Sequence, residues 1–518
     1  MTAEKSRYER TRHFELADFA NANDLSIASK TSFVLLLLTL LWLPIPQAGK
    51  MPGGLSALSV FAVVILLLAA YARASALSKK ERPMSAYLLG SSGLWALVWL
   101  SFSFAVFAHI FFIPKLIGIQ ALFSEEVWAP LSATGNSVEV VLPSLRVWVF
   151  FTCMWIVAWR TSWLSQRQIC QLLFVVFLAS LFQASYGLWF FLSDGTSVLG
   201  LWDKQYYLGD ATGTFVNRNH FSGMLAICWP LVLSGLFARK PLLFAQLSLG
   251  SRASIAAVYS LLVIFALVSA HSRMGTFAAF IGLATWGYVF VRSQPVGSTS
   301  LPRWLPYLVA TISLVAAIWF GAGDILERYI ALESGDGRIG IWSAIFHLPV
   351  NAWLFGIGPG NFEDVFRLVQ PAYMKTRTIH AHNDYIEFLL EFGIILGALI
   401  AVCAAYSFWR LFPRGNLGLR AGALGSVTAI ALHSTLDFNL QVPGAAIFFW
   451  VAIGLLFNSA LVGNDVLESQ VEPTENDGPQ KSKRTRRSRQ SKQENSNKRQ
   501  RSKIPSTRQE WLALFRSD

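Results

Sequence analysis

The chain has 518 residues, of which 54% are hydrophobic and 14% charged, with a formal net charge of +13 and a mean hydropathy of +0.46. A soluble protein of this size has no core large enough to hide so much apolar surface, and the apolar residues come in long runs rather than alternating. Soluble globular classes are therefore excluded, and an all-α, polytopic membrane bundle is expected.

Residues 1–30 mix Lys5, Arg7, Arg10 and Arg12 with Glu4, Glu9, Glu15 and Asp18. They read as a cytoplasmic N-terminal tail ahead of an uncleaved first span, since no cleavable signal peptide pattern is present. Within residues 31–463, a window of roughly twenty residues, the length that crosses a bilayer, predicts about twelve transmembrane helices. They fall near 32–49, 55–72, 86–108, 143–160, 171–192, 220–238, 253–271, 274–291, 304–322, 385–409, 418–436 and 443–462. The seventh and eighth are joined by a very short turn around Arg273, and one large periplasmic loop is expected at 323–383. No internal repeat stands out. Cys153, Cys170, Cys228 and Cys403 all lie in or beside apolar runs and have neither disulfide nor zinc spacing, so they read as packing residues.

Charge sets the expected topology. Alternate loops carry Arg73, Lys79, Lys80 and Arg82; Arg160 and Arg167; Arg239, Lys240 and Arg252; Arg292 and Arg303; and Arg410, Arg414 and Arg420, opposed only by Glu81. Positive loops stay in the cytoplasm, so both termini are expected there, in a bacterial inner membrane. The segment 464–518, with Lys481, Lys483, Arg484, Arg486, Arg487, Arg489 and further basic residues to Lys503, agrees. Its composition predicts a largely disordered tail attracted to anionic membrane lipids, with no folded module for nucleic acid. Trp511, Leu512, Leu514 and Phe515 suit a short interfacial helix.

The opposite loops hold the chemistry. Gly213 to His220, including Asn217 and Arg218, precedes the sixth span; Arg273 lies between the seventh and eighth; Arg338 to Trp342, Gly356 to Phe362 and His380 to Tyr385 lie in and after the large loop. An outer arginine runs against the charge bias and commonly snorkels to lipid phosphates. Three of them, Arg218, Arg273 and Arg338, with histidines on the same face, also suit a shared anion, because guanidinium forks match phosphate oxygens. Gly358 and Gly360 permit a tight turn and close approach to a ligand, or simply a loop turn shaped by Pro359. His380 and His382 suit general-base work on a hydroxyl. A metal site with Asp384 and Glu387, or capping of the tenth span by Asn383 or Asp384, are the other readings of that run. His433 and Asp437 either support the same pocket or form a buried pair that ends a helix.

Taken together, Gly213–His220, Arg273, Arg338 to Trp342, Gly356–Phe362 and His380–Tyr385 followed by Glu391-Phe392-Gly393 resemble the O-antigen ligase and polymerase superfamily in order, spacing and placement. The resemblance spans roughly residues 30–462. It implies a helical bundle that moves a glycan from undecaprenyl pyrophosphate to lipid A–core or another glycan or protein acceptor, with inversion, without metal and without a cofactor. It implies that Arg218 and Arg273 hold the pyrophosphate, that Arg338 assists, and that His382, which with Asn383 matches the family's histidine-asparagine motif, is the base ahead of His380. One departure is Leu396, with Gly397 next, where the family has a small or hydroxylated residue; it loosens the match to a strict lipopolysaccharide ligase. A polymerase of lipid-linked repeats is the nearest alternative. A small-anion carrier of the bicarbonate kind is a further one, opposed by the almost purely apolar middle of most spans.

Overall fold

Inside a bilayer every backbone polar group must be satisfied within the protein, and a helix does this locally. The computed structural model describes residues 26–51, 53–78, 91–112, 137–238, 241–293, 337–375, 377–412 and 420–458, with the isolated positions 311 and 315. They belong to one unit, Met1–Asp465. Its elements in order are α1 (Ile27–Trp42), α2 (Gly54–Ser78), α3 (Ser91–Phe111), α4 (Ser137–Thr161), α5 (Gln166–Leu192), the short antiparallel pair β1 (Ser197–Val198) and β2 (Trp202–Asp203), α6 (Arg218–Phe237), α7 (Leu249–Ser269) and α8 (Arg273–Arg292). After these come α9 (Arg338–Phe346), α10 (Val350–Phe355), α11 (Phe362–Val369), α12 (Asp384–Leu411), α13 (Arg420–His433) and α14 (Pro443–Leu456).

The protein is an all-α membrane bundle. Helices α2 to α8 and α12 are long and apolar enough to cross a membrane, and α1 and α14 are shorter apolar helices. Each predicted span except the ninth falls on one of α1–α8 or α12–α14. The ninth span, 304–322, lies outside the described residues apart from positions 311 and 315, as do residues 464–518 and most of 1–30. The first span ends earlier than the hydropathy window placed it, because Pro44 and Pro46 withdraw the donors that would continue α1.

Helix α6 is the central helix, buried along nearly its whole length. Small residues let its neighbours approach closely, as is usual where lipid removes the hydrophobic drive between helices. A Cβ on Gly275 of α8 would lie 2.4 Å from Ser222 Cβ of α6, and one on Gly422 of α13 would lie 2.6 Å from the Pro230 carbonyl oxygen. Val60, Leu67, Val258, Phe265 and Val402 stay exposed on the surrounding helices, as lipid-facing residues do.

Helix α12 bends at Gly393, whose φ of 72° interrupts the helix. The bend frees carbonyls that would otherwise accept from the next turn, and the chain after α10 takes them up. Ile357 and Gly358 donate their N–H groups to the Leu390 and Glu391 carbonyls at 3.0 Å each. A Cβ at Gly393 would sit 2.4 Å from the carbonyl carbon of Phe355, so only glycine permits this contact.

The two ends of the bundle differ in charge. One end gathers Arg160, Arg167, Arg252, Arg292, Arg410 and Arg420, and among the described residues it holds no carboxylate. Fully buried Arg160 donates there to Ser32 Oγ at 3.2 Å and to the Ser29 carbonyl at 3.3 Å. The described carboxylates, among them Asp210, Asp384, Glu387, Glu391 and Asp437, all lie at the other end. Helices α13 and α14 have 14 residues each, or about 21 Å at 1.5 Å per residue. The polar loop 434–442 between them is recessed, with Ser434, Asp437, Phe438, Asn439 and Val442 all buried.

Candidate functional site

The recessed loop carries Phe438, and three histidines from two segments surround its ring. The ring centre lies 4.1 Å from His380, 4.6 Å from His220 and 5.0 Å from His382. Next to it, Asp437 is buried and central to a charge cluster. Its carboxylate oxygens lie 3.5 Å from an Arg338 guanidinium nitrogen, 3.6 Å from His220 Nε2 and 3.8 Å from His382 Nδ1. These are ion-pair separations, too long for hydrogen bonds. Burial works against a charge on Asp437, but the imidazoles of His220 and His382 outweigh it and hold the carboxyl well below its ordinary range.

Local sequence fixes the histidine run. His382 has a φ of 51°, an uncomfortable conformation for a residue with a side chain. On one side Asn383 caps α12, accepting from the Tyr385 and Ile386 N–H groups at 3.0 Å each, and donates to the Thr435 carbonyl at 2.8 Å. Asp384 accepts from Ser434 Oγ at 2.7 Å, and its own N–H donates to the Ser434 carbonyl at 2.9 Å. On the other side Glu387, one turn into α12, pairs with His380 Nδ1 at 2.8 Å and accepts from the Ala381 N–H at 2.7 Å. Trp342 of α9 donates to the Ala381 carbonyl at 2.8 Å. Asn383, Asp384 and Glu387 thus hold His380 and His382 against the 434–441 loop.

The arginines come from two helix starts. Asn217 caps α6 through a 2.8 Å bond from the Asn219 N–H, which makes Arg218 the first residue of that helix. Arg273 is the first residue of α8. Ser272 Oγ donates to Asn219 Oδ1 at 2.8 Å, so the two starts lie side by side. Helix N-termini carry partial positive charge from unsatisfied N–H groups, and two arginines add to it. Arg218 is held by Asp210 at 3.0 Å, and Asp210 also binds His271 Nδ1 at 2.7 Å. Lys204 donates to the carbonyls of Tyr207 and Asp210, which shapes this loop; burial pushes its pKa down to about 8.

Tyr207 joins the two groups. Its ring lies 5.3 Å from the Arg218 guanidinium carbon. Burial pushes its phenol up, and the charges that act on it are those of Arg218, Asp437, Arg338 and Asp210. Arg218 and the Asp437–Arg338 pair therefore both lie near Tyr207, at the same end of the bundle.

Gly358 and Gly360 are placed differently. Their φ values are 91° and 81°, and the turn packs on the bend of α12 and on the start of α4. Ser144 Oγ donates to the Pro359 carbonyl at 2.8 Å, and a Cβ on Gly360 would lie 2.9 Å from the Pro143 carbonyl. Glu391 accepts from the Phe362 N–H at 3.3 Å. These glycines bring backbone close to backbone beneath the histidine run. Among the described residues no group of three or more His, Cys, Asp or Glu is arranged to hold a metal ion.

Sequence reading missed Asp210, His271 and Tyr207, and left Asp437 undecided. None carries a spacing signal, because Tyr207 and Asp210 share one loop while His271 and Asp437 each come from another. The one available hint was that acidic residues on the less basic side of a membrane protein need partners.

A search with protein-family models matches residues 242–401 to O-antigen ligase. The matched stretch contains Arg273, Arg338, Gly358, Gly360, His380 and His382, while Arg218 and Asp437 lie outside it. No curated protein and no solved structure matches the chain. Over residues 242–401 the chain is similar to the O-antigen ligase family.

Proposed function

We propose that the chain is a membrane glycosyltransferase that moves a glycan from undecaprenyl pyrophosphate to an acceptor hydroxyl, at the bundle end that faces away from the cytoplasm. The carrying observation is that paired arginine-bearing helix starts and carboxylate-held histidines lie at the same end of the bundle. Orientation follows from charge: the end rich in arginine and free of described carboxylates stays inside, so the recess opens outside.

No ATP is expected on that side, so the energy of transfer comes from the donor's own sugar–pyrophosphate bond. Arg218 and Arg273, with the N–H groups of α6 and α8, take the charge that builds on the departing pyrophosphate. An imidazole of the His380–His382 pair takes the acceptor's proton as its oxygen attacks C1 from the opposite side, which inverts that centre. The resemblance of the histidine-asparagine pair favours His382 as the base. Asp437 stabilises the imidazolium so formed, and Arg338 pairs with Asp437 at 3.5 Å. The residues supply charge and proton transfer without calling on a metal.

Reconstituting the full chain in proteoliposomes with a synthetic undecaprenyl-pyrophosphate glycan and chelator tests this reading. Release of undecaprenyl pyrophosphate with an inverted glycosidic linkage on the acceptor is expected; an intact donor after prolonged incubation contradicts it. Deleting the gene separates ligase from polymerase. Carrier-linked polymer that persists while lipid–core loses its glycan indicates ligase, and a single-repeat product indicates polymerase.

A further inference from the structure

Lys50 ends the turn between α1 and α2, and its ammonium stands 5.0 Å from the centre of the Phe438 ring. That is the ring on which His220, His380 and His382 converge. The backbone that delivers Lys50 is strained: Gln47 and Ala48 have φ of 50° and 56°, and Gly49 has 83°. Two side-chain-bearing residues in a row in the left-handed region persist only where packing over-determines them. Here it does. A Cβ on Gly49 would lie 2.8 Å from Pro443 Cβ, and one on Gly444 would lie 2.9 Å from Ala48 Cα, so the turn is wedged against the start of α14. Thr214 Oγ1 ties its other side by donating to the Pro44 carbonyl at 2.7 Å.

Among the described residues the ammonium at the end of this turn has no hydrogen-bond partner. Arg218 pairs with Asp210, Arg338 with Asp437, and Lys204 with two carbonyls. Among the described residues the Lys50 ammonium makes no hydrogen bond and no ion pair within 4.0 Å; it stands over the face of Phe438. Asp437 and Glu387 act on it from further away. Lys50 keeps exposed surface, yet the protein crowds it enough that desolvation pushes its pKa below that of an ordinary lysine. Both facts fit a side chain that faces the water of the recess rather than open solvent. A cation so placed attracts an anionic oxygen.

We propose that Lys50 is a substrate-binding residue of this recess, donating from its ammonium to a phosphate oxygen of a bound substrate. The proposal rests on the glycan-transfer reading and extends it to a loop outside the matched family segment. The phosphate belongs either to the lipid-linked pyrophosphate or to a phosphorylated acceptor.

The test uses the full chain in nanodiscs as wild type, Lys50→Met, Lys50→Arg and Arg218→Ala, with undecaprenyl pyrophosphate and phosphorylated lipid A–core as separate probes. A lost charge-assisted hydrogen bond corresponds to about a ten- to hundredfold weaker affinity. Lys50→Met is expected to weaken one probe by that factor, and Lys50→Arg to restore part of it; which probe weakens identifies the source of the phosphate. Thermal melting of Lys50→Met checks its fold, and Lys50→Gln replaces it if the melt is lowered. Wild-type affinity for both probes in the neutral variants overturns the proposal. If Arg218→Ala at the same time loses undecaprenyl pyrophosphate, the glycan-transfer reading stands without Lys50. A wild type that binds neither probe overturns both.

Discussion

Replacing Glu387 isolates the contact on which the histidine run depends. Its carboxylate accepts from Ala381 N–H at 2.7 Å and pairs with His380 Nδ1 at 2.8 Å, and the side chain is buried. A hydrogen bond to a charged group contributes about 1.5–3 kcal/mol, so Glu387→Ala removes roughly 3–6 kcal/mol of local restraint if the two bonds add. Glu387→Gln keeps an acceptor for Ala381 but presents an N–H group or a neutral oxygen to His380, and so forfeits about half. The loss falls on the loop, because the main core is built from other helices and does not include residues 380–387. His382 has a φ of 51°, and the unfavourable backbone relaxes once the clamp is gone. A displacement of about 1 Å costs on the order of a hundredfold in rate. Initial rates in proteoliposomes are therefore expected to fall about a hundredfold in Glu387→Ala and about tenfold in Glu387→Gln, with melting temperatures close to wild type. Hydrogen exchange at residues 380–383 should quicken in the same order. Rates within twofold of wild type in both variants would refute the reasoning.

Two other perturbations test the supporting structure. Gly393→Ala places a side chain at a φ of 72° and 2.4 Å from the Phe355 carbonyl carbon, so a loss of about 2–4 kcal/mol is expected from backbone strain and overpacking together. Thermal unfolding in nanodiscs checks this, and an unchanged melt would contradict the close packing at the bend. Lys204 has a pKa lowered to about 8 by burial, so between about 8 and the unfolded value near 10.4 the folded chain holds fewer protons than the unfolded one. Stability from this group therefore rises over that window. The melting-temperature difference between wild type and Lys204→Gln should grow in favour of wild type from pH 7.5 to 9.5; a flat difference would count against the assignment.

Much of the bundle was legible from sequence because crossing a membrane demands long apolar runs, and such runs are visible without any pairing information. Boundaries were less legible where the chain breaks its own pattern. Pro44 and Pro46 cut α1 short, and Gly393 bends α12 inside an uninterrupted apolar stretch. At the candidate site, Arg218, Arg273, Arg338, His380 and His382 were picked out from their local strings, and Arg218, Arg338, His380 and His382 pair with carboxylates in the recess or at its rim. Arg273 is placed through its neighbour Ser272. Asn383 and Asp384 were weighed as caps for the tenth span, and Asn383 caps α12. The remainder depends on loops distant in sequence. Lys50, Tyr207, Asp210 and Asp437 meet only because α1, α6 and α13 end together, and no periodicity within one segment records that.

The central claim is that the arginine-bearing helix starts and the histidine cluster serve one reaction. The most direct test compares single-turnover transfer from an undecaprenyl-pyrophosphate glycan in wild type, Arg218→Ala and His382→Ala, each first shown to melt like wild type. Removing one preorganised charge or the base is expected to slow the chemical step by about a hundred- to a thousandfold, with the double variant slowed by much less than the product of the two. Wild-type turnover in either well-folded single variant would contradict the account.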